Sequence, residues 1–210
     1  MLRKLKEPPG HIPSACLSAF VLFPLQVKHK FLLISPENEQ PNHQHSESAC
    51  PARQQALRRR RDSRNHNLPL IGGVEQAPGR EYAARDVREE ETQVAMDIAG
   101  AYPTEAGVRT LYRKFTFGPA FVLQDEITLT EPRKITWVFL SRPRPQLVKG
   151  GLLLGTVQMR YDESLSCAME EIPVTDARMI QNFPGSLWRI TLTSPPAVNV
   201  KQAFRFVPDT

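Results

Sequence analysis

The sequence lacks most of the motifs that point directly to a chemistry. Its three cysteines, Cys16, Cys50 and Cys167, are far apart, so they form neither a CxxC redox motif nor a metal-binding set. It also has no Gly-rich phosphate-binding loop, no nucleophile elbow and no His/Cys pair with catalytic spacing. These absences exclude the usual sequence signatures of nucleotide binding, covalent catalysis and zinc fingers.

Glycine is scarce relative to proline, with 11 glycines and 19 prolines in 210 residues. Because proline breaks helices, this balance disfavours long helices and suits a β-rich chain with many loops. Long apolar runs are absent too, since the apolar patch at residues 15–25 is far shorter than the roughly 20 residues that span a membrane. The patch follows Arg3, Lys4 and Lys6, as in a secretory signal, but prolines interrupt it. We therefore expect neither a signal peptide nor a transmembrane helix.

The positive charge is concentrated at the beginning of the chain. Residues 1–62 contain ten basic and five acidic residues, which accounts for the whole net charge of +5. Residues 1–63 show no hydrophobic period, so we interpret them as a basic, disordered arm. The run Arg58 to Arg61 could contact phosphate or sulfate groups. Without interleaved aromatic residues, however, a solvated tail is the favoured reading, and nucleic acid is not the expected partner.

The clearest pattern is the run TLYRKFTFGPAFVLQDEITLTEPRKITWVFLS at residues 110–141, in which apolar residues occupy odd positions and polar residues occupy even ones. Side chains of a strand alternate between faces, so this pattern predicts successive strands that place one apolar face on a shared core. We expect turns at residues 118–120 and 131–133, because proline at the centre of each fixes φ and cannot donate to a β-ladder.

Shorter apolar stretches of the same kind predict further strands at residues 92–100, 151–161, 165–172, 187–194 and 199–207, with a short helix as the alternative at residues 92–100. With short, frequent strands and no obvious crossover helix, the predicted fold class is all-β, an antiparallel two-sheet β-sandwich. Cys167 is in phase with Leu165 and Met169, which predicts a buried thiol on a strand.

Asp125 interrupts the apolar face of the long run, so it is either buried and paired or turned outward by a bulge. We favour a structural ion pair with an arginine such as Arg113 over a catalytic role. Trp137 and Trp188 could stack on sugar rings, but each lies in an apolar stripe, which favours the core. The tyrosines are likewise predicted to be packing residues. They are Tyr82, Tyr102, Tyr112 and Tyr161.

Three successive segments carry a resemblance to a known family: HNLPLIGGVEQAPGREYAARDV from His66, AYPTEAGVRTLYRKFTF at residues 101–117 and FVLQDEITL at residues 121–129. In order and spacing they resemble the C-terminal β domain of heparinase II/III-like polysaccharide lyases, a group that includes alginate and oligoalginate lyases. The resemblance covers about residues 65–210. We therefore expect residues 64–210 to form this β-sandwich domain and residues 1–63 to be an arm unlike the family.

The resemblance implies a lyase of two parts, an α/α toroid that contributes most of the catalytic site and this sandwich stacked against it. It also implies β-elimination at a uronic acid, in which a Tyr or His takes the C5 proton and an acid protonates the leaving O4. The implied partner is an acidic polysaccharide of the heparin, heparan sulfate or alginate type. The implied location is the periplasm or cell envelope.

The family also holds zinc at the sandwich, and His66 matches the histidine of the HNLP-like segment of that site. Zinc needs three or four protein donors. The family's His-x-His-x-Asp-x-Gly-Ser-Phe segment is not matched, because NHQHSE at residues 42–47 lacks the Asp, Gly and Phe. We interpret His43 and His45 as a chance pair. His66 remains the one candidate metal ligand, and no residue is assigned a catalytic or cofactor-binding role.

Three functions remain open at this stage, and the least favoured is nucleic-acid binding through Arg58 to Arg61. In the first, the chain is the C-terminal part of a polysaccharide lyase, inactive alone because the toroid and most site residues are missing. Residues 1–63 would then reflect a truncated gene, a frameshift or a mispredicted start, and the toroid could be a separate chain. In the second, the chain is a non-catalytic carbohydrate-binding or assembly module, with Arg142 and Arg144 in a sandwich loop as the contact.

Overall fold

Two antiparallel sheets make up the structure, a computed structural model that describes residues 67–79, 81–175, 177–181 and 183–209. The small sheet has the strand order β1 (Pro69–Ile71), β6 (Ile135–Ser141), β11 (Ser186–Thr193), β10 (Ser166–Pro173). The large sheet has the order β2 (Arg85–Glu89), β3 (Gln93–Asp97), β4 (Val108–Thr116), β5 (Phe121–Arg133), β12 (Ala197–Pro208), β9 (Val157–Arg160), β8 (Gly151–Leu154), β7 (Gln146–Val148). The predicted all-β sandwich is confirmed.

Helical structure in this part of the chain is limited to short pieces. One α-helical turn, α1, comprises Ala177–Ile180, and two 3₁₀ turns, Ala99–Ala101 and Thr104–Ala106, lie between β3 and β4. None of the helices in the described ranges is long and apolar enough to cross a membrane. The predicted arm at residues 1–63 lies outside the described residues.

The core lies between the inner faces of the two sheets, where the alternation of the sequence places the apolar side chains. Leu123 on β5 and Phe204 on β12 are opposite each other in register, and both are fully buried. The Phe204 ring lies 4.9 Å from the Phe139 ring and 5.5 Å from the Trp137 ring of the small sheet, measured between centroids. These edge-to-face contacts join the two sheets.

The long alternating run is confirmed as a hairpin followed by a strand of the other sheet, but only one of its two predicted turns is correct. The chain turns at residues 118–120, and β4 then pairs with β5. The predicted turn at residues 131–133 is wrong, because β5 continues to Arg133 before the chain passes to the small sheet. β5 pairs with β4 only as far as Leu129. Proline has no backbone N–H, but at Pro132 this costs no hydrogen bond to β4.

The predicted strand at residues 151–161 is instead a hairpin of β8 and β9. Gly155 has φ +66°, a left-handed conformation that favours glycine at this turn, and it lies against the Pro143 side chain. Val157 and Met159 are buried, as their alternation predicted. The short strands β1, β2 and β7 were not predicted, because three to five residues give too little periodicity to recognise.

Cys167 lies on β10 as predicted, but it is only half-buried. The reason is that β10 is an edge strand of the small sheet and therefore has a neighbour on one side only. Burial, together with the adjacent Cys167, raises the pKa of Tyr161 to about 12.

One end of the sandwich, which we call the entry end, is where residue 67 leads into the first strand. Asn67 Oδ1 accepts a hydrogen bond from the backbone N–H of Leu140 at 3.1 Å. At the same end β6 finishes at Ser141 and β11 begins, since Ser141 pairs with Trp188. The loop between β6 and β7 crosses here from the small sheet to the large one, and it lies against the β8–β9 turn.

The aromatic contact between the sheets predicts a large effect of truncation. Phe204→Ala should lower the free energy of unfolding by about 3–5 kcal/mol, because it removes a fully buried ring and leaves a cavity. Urea unfolding of both proteins measures the difference. The matched control is the neighbouring exposed position, where Arg205→Ala should change stability by about 0.5 kcal/mol or less. Equal losses in the two variants would contradict the proposed packing.

Candidate functional site

The most strongly interacting polar group in the described chain is a buried ion pair between two neighbouring strands. Arg113 on β4 and Asp125 on β5 are opposite each other in register and are 3% and 0% exposed. Arg113 Nε donates to Asp125 Oδ1 at 2.7 Å, and Arg113 Nη2 donates to Asp125 Oδ2 at 2.6 Å. This bidentate geometry offsets part of the cost of removing two charges from water. The expected ion pair is confirmed.

The pair is extended by hydrogen bonds to the small sheet. Trp137 on β6 donates its Nε1–H to Asp125 Oδ2 at 2.8 Å, so the carboxylate links the two sheets. Arg113 Nη1 donates to the carbonyl oxygen of Asn67 at 2.9 Å. Nearby, the Tyr102 hydroxyl donates to the carbonyl oxygen of Pro69 at 2.6 Å. Two of these bonds therefore fix the segment that forms β1.

Electrostatics favour the charged arginine and the neutral phenol in this network. Burial alone would lower the pKa of Arg113, but the charge and hydrogen bonds of Asp125 outweigh burial, so the pKa is raised. Burial raises the pKa of Tyr102 well above its usual value, which keeps the hydroxyl protonated as a donor. Because the ion pair is sealed from solvent, a substrate cannot reach it. Its role is structural, as expected.

A second group of charged side chains lies at the entry end, in the loop between β6 and β7. Arg142 and Arg144 are exposed. The guanidinium carbon of Arg142 lies 5.9 Å from the centroid of the Phe183 ring, and that of Arg144 lies 5.3 Å from the centroid of the Trp188 ring. Both distances are typical of cation–π contacts. We refer to these four residues as the arginine–aromatic surface.

The sequence predicted that the tryptophans and tyrosines are core or packing residues, and the structure confirms this for only some of them. Trp137 is a core residue, as expected, whereas Trp188 is half-buried beneath Arg144, so the core prediction is wrong for it. Tyr102 is buried, but Tyr112 is 51% exposed on the outer face of the large sheet, so the packing prediction fails there. No pattern in the sequence indicates Phe183, because it lies in an irregular loop without periodicity.

Several candidates from the sequence cannot be placed. His66, the candidate zinc ligand, lies outside the described residues, as do His43, His45 and the Arg58 to Arg61 run. Within the ranges that the structure describes, no three His, Cys, Asp or Glu side chains come together as a metal site would require. The described residues therefore supply no set of zinc ligands by themselves, and the assignment of His66 as a zinc ligand stays a prediction.

The fold is that of a β-sandwich found in polysaccharide lyases. A heparinase III with methylated lysines superposes on 77% of this chain with a TM-score of 0.56 and 11% sequence identity. Heparan sulfate lyase HepC from Pedobacter heparinus superposes on 78% with a TM-score of 0.53 and 12% identity. The chain spans only 26% and 27% of the lengths of those two proteins. At such low identity, the likeness establishes the fold alone.

Sequence comparison adds no further relative. No protein-family profile matches the chain, and no curated protein sequence matches it either. The resemblance that the three sequence segments carry is therefore supported by the structural comparison, and only for the fold of the β-sandwich.

Removing one member of the buried ion pair should destabilise the protein strongly. Asp125→Ala leaves the Arg113 charge buried without its carboxylate, which should cost about 3–5 kcal/mol in the free energy of unfolding. Urea unfolding measures it. The control is Glu131→Ala, which breaks the exposed pair with Arg133 and should cost about 1 kcal/mol or less. If Asp125→Ala cost no more than the control, the structural role assigned to the pair would be wrong.

The Tyr102 hydroxyl predicts a pH dependence of stability. Its pKa is raised in the folded protein, so its contribution is complete below about pH 10, where the unfolded phenol ionises, and is lost as the pH rises further. Wild type should therefore exceed Tyr102→Phe in unfolding free energy by about 1 kcal/mol at neutral pH. That difference should shrink between about pH 9 and pH 11. A difference independent of pH would contradict the assignment.

Proposed function

We propose that this β-sandwich is the accessory C-terminal domain of a polysaccharide lyase that cleaves uronic-acid-containing glycans by β-elimination, and that the chain alone does not catalyse the reaction. The observation that carries the proposal is the likeness to heparinase III and to heparan sulfate lyase HepC, which extends over more than three quarters of this chain. In both proteins the matched region is about a quarter of the whole. The remaining length of such a lyase would supply the α/α toroid.

The chemistry of β-elimination supports this division of labour. The reaction needs a base at the C5 proton and an acid at the leaving O4, placed on the sugar ring from accessible positions. The best-defined carboxylate among the described residues, Asp125, is fully buried and already accepts three hydrogen bonds. It is held by Arg113 and Trp137 and has no contact with solvent. We therefore assign the acid and base to the toroid and a supporting role to the sandwich.

A second candidate function is a non-catalytic carbohydrate-binding module. The arginine–aromatic surface favours it, because exposed guanidinium groups held on aromatic rings suit an anionic sugar chain. The two candidate functions differ in whether the sandwich needs a partner domain. An accessory lyase domain requires a toroid partner, whereas a binding module retains its function without one.

Turnover tests the lyase proposal. The purified chain is incubated with heparin, heparan sulfate and alginate, and the ultraviolet absorbance of the unsaturated uronate product is followed. We expect no product from the chain alone. The second arm co-expresses the chain with the toroid-coding reading frame sought in the neighbouring DNA, and we expect co-purification and turnover of at least one of the three glycans.

Either of two results would overturn the proposal. Product formation by the purified chain alone would show that the sandwich carries a complete site. Absence of any toroid-coding frame near the gene, together with retained glycan binding, would favour the binding module. A catalytically dead toroid variant is the control for turnover from contaminating enzymes.

A further inference from the structure

Two arginines at the entry end have positive charges that the fold does not use. Arg142 and Arg144 are exposed, and neither has a carboxylate partner in the part of the chain that the structure describes. Three other surface cations do have a carboxylate partner. These pairs are Arg133–Glu131, Arg189–Glu170 and Lys201–Glu126. The guanidinium groups of Arg142 and Arg144 are therefore available to an external anion.

The loop that carries the two arginines is held in place. Ser141 Oγ donates to the carbonyl oxygen of Pro143 at 2.8 Å, and the Pro143 side chain lies against Gly155 of the β8–β9 turn. Pro145 is buried, and both prolines fix their φ angles. An anion that binds here would therefore order little additional chain, which lowers the entropic cost of binding.

The aromatic rings position the guanidinium groups without consuming their hydrogen bonds. Arg142 lies over the Phe183 ring and Arg144 lies over the Trp188 ring, and a cation–π contact uses none of the guanidinium N–H groups. Guanidinium N–H groups can form bidentate hydrogen bonds with an oxyanion. Two such forks, two residues apart, suit a ligand that carries more than one anionic group.

The surroundings of the pair also suit a sugar chain. Leu147 is 69% exposed on β7, directly after the arginine loop, and Met179 is exposed on α1, where its carbonyl oxygen accepts from the N–H of Phe183. Leu147 follows Arg144 by three residues, and Met179 is linked by its carbonyl oxygen to Phe183, the residue beneath Arg142. The nearest carboxylate in register is Glu171, opposite Trp188, and it accepts a hydrogen bond from Ser186.

We propose that Arg142 and Arg144 bind the carboxylate or sulfate groups of an acidic oligosaccharide, so that the arginine–aromatic surface is a glycan-anchoring site on the sandwich. The inference rests on the proposed function, because the glycan it anchors is the substrate class of the proposed lyase. Its position is consistent with that role. The two arginines lie at the entry end. Arg142 follows Leu140 by two residues, and the backbone N–H of Leu140 donates to Asn67, the residue that leads into the first strand.

Nucleic acid is the competing polyanion, and the geometry disfavours it. Proteins that bind single strands expose aromatic faces on which bases stack. Here guanidinium groups already cover Phe183 and Trp188. An acidic glycan needs no free aromatic face, since its charged groups can bind at the guanidinium edges.

The test compares two charge-matched double variants of the full chain. Arg142→Gln with Arg144→Gln removes the proposed site, and Arg160→Gln with Arg205→Gln removes the same charge from two exposed arginines that are opposite each other on the outer face of the large sheet. Affinity for heparan sulfate and alginate oligosaccharides is measured by calorimetry, with neutral dextran and single-stranded DNA as comparison ligands. Urea unfolding verifies that both variants remain folded.

We expect the Arg142/Arg144 variant to lose roughly tenfold or more in affinity for an acidic oligosaccharide, and the Arg160/Arg205 variant to stay within about twofold of wild type. Equal losses of affinity in the two variants would show that the effect comes from net charge alone, which would overturn the proposed site. So would wild-type affinity in the first variant, no glycan binding by wild type, or tighter binding to DNA than to glycan.

The outcomes separate this inference from the lyase proposal. If the two-part enzyme turns over glycan while the Arg142/Arg144 variant binds and reacts like wild type, only the anchoring site is wrong. If wild type binds glycan through these arginines but no toroid partner or turnover is found, only the lyase role is wrong.

Discussion

The sandwich depends on one buried electrostatic contact, the bidentate pair of Arg113 and Asp125. It joins β4 to β5, reaches the small sheet through the indole of Trp137 and holds the first strand through the carbonyl oxygen of Asn67. In a low-dielectric core, each of these groups would be costly without its partner. The network therefore links both sheets and the segment that enters them, and all of its hydrogen bonds are made together only in this arrangement.

That placement has a consequence for the entry end. With Asn67 fixed beside Leu140, the end of β6 and the loop that follows it lie next to the point where the chain arrives. The buried charges are fully used inside the sandwich, whereas the exposed charges of Arg142 and Arg144 are held on aromatic rings at its end. The buried charges thus serve the fold, and the proposed binding surface lies at the entry end.

The proposed function rests on the fold likeness to heparinase III and HepC. The sandwich matches about a quarter of each lyase, so we propose that it is an accessory part of a larger enzyme. The sealed ion pair agrees with this, because its carboxylate is inaccessible to a sugar. The arginine–aromatic surface is the place on the described residues where we propose that an acidic glycan binds.

The sequence alone determined the all-β class and the β4–β5 hairpin, and it favoured an ion pair of Asp125 with an arginine such as Arg113. The two polar breaks in the apolar phase, Arg113 and Asp125, are equidistant from Pro119, so a turn centred there makes them cross-strand neighbours. Local periodicity carries that information because alternation and turn chemistry act over a few residues. Tertiary structure decided the rest: that β5 runs on through Pro132, that Trp188 supports Arg144, and that Phe183 meets Arg142. These contacts join segments distant in sequence, and no local pattern encodes them.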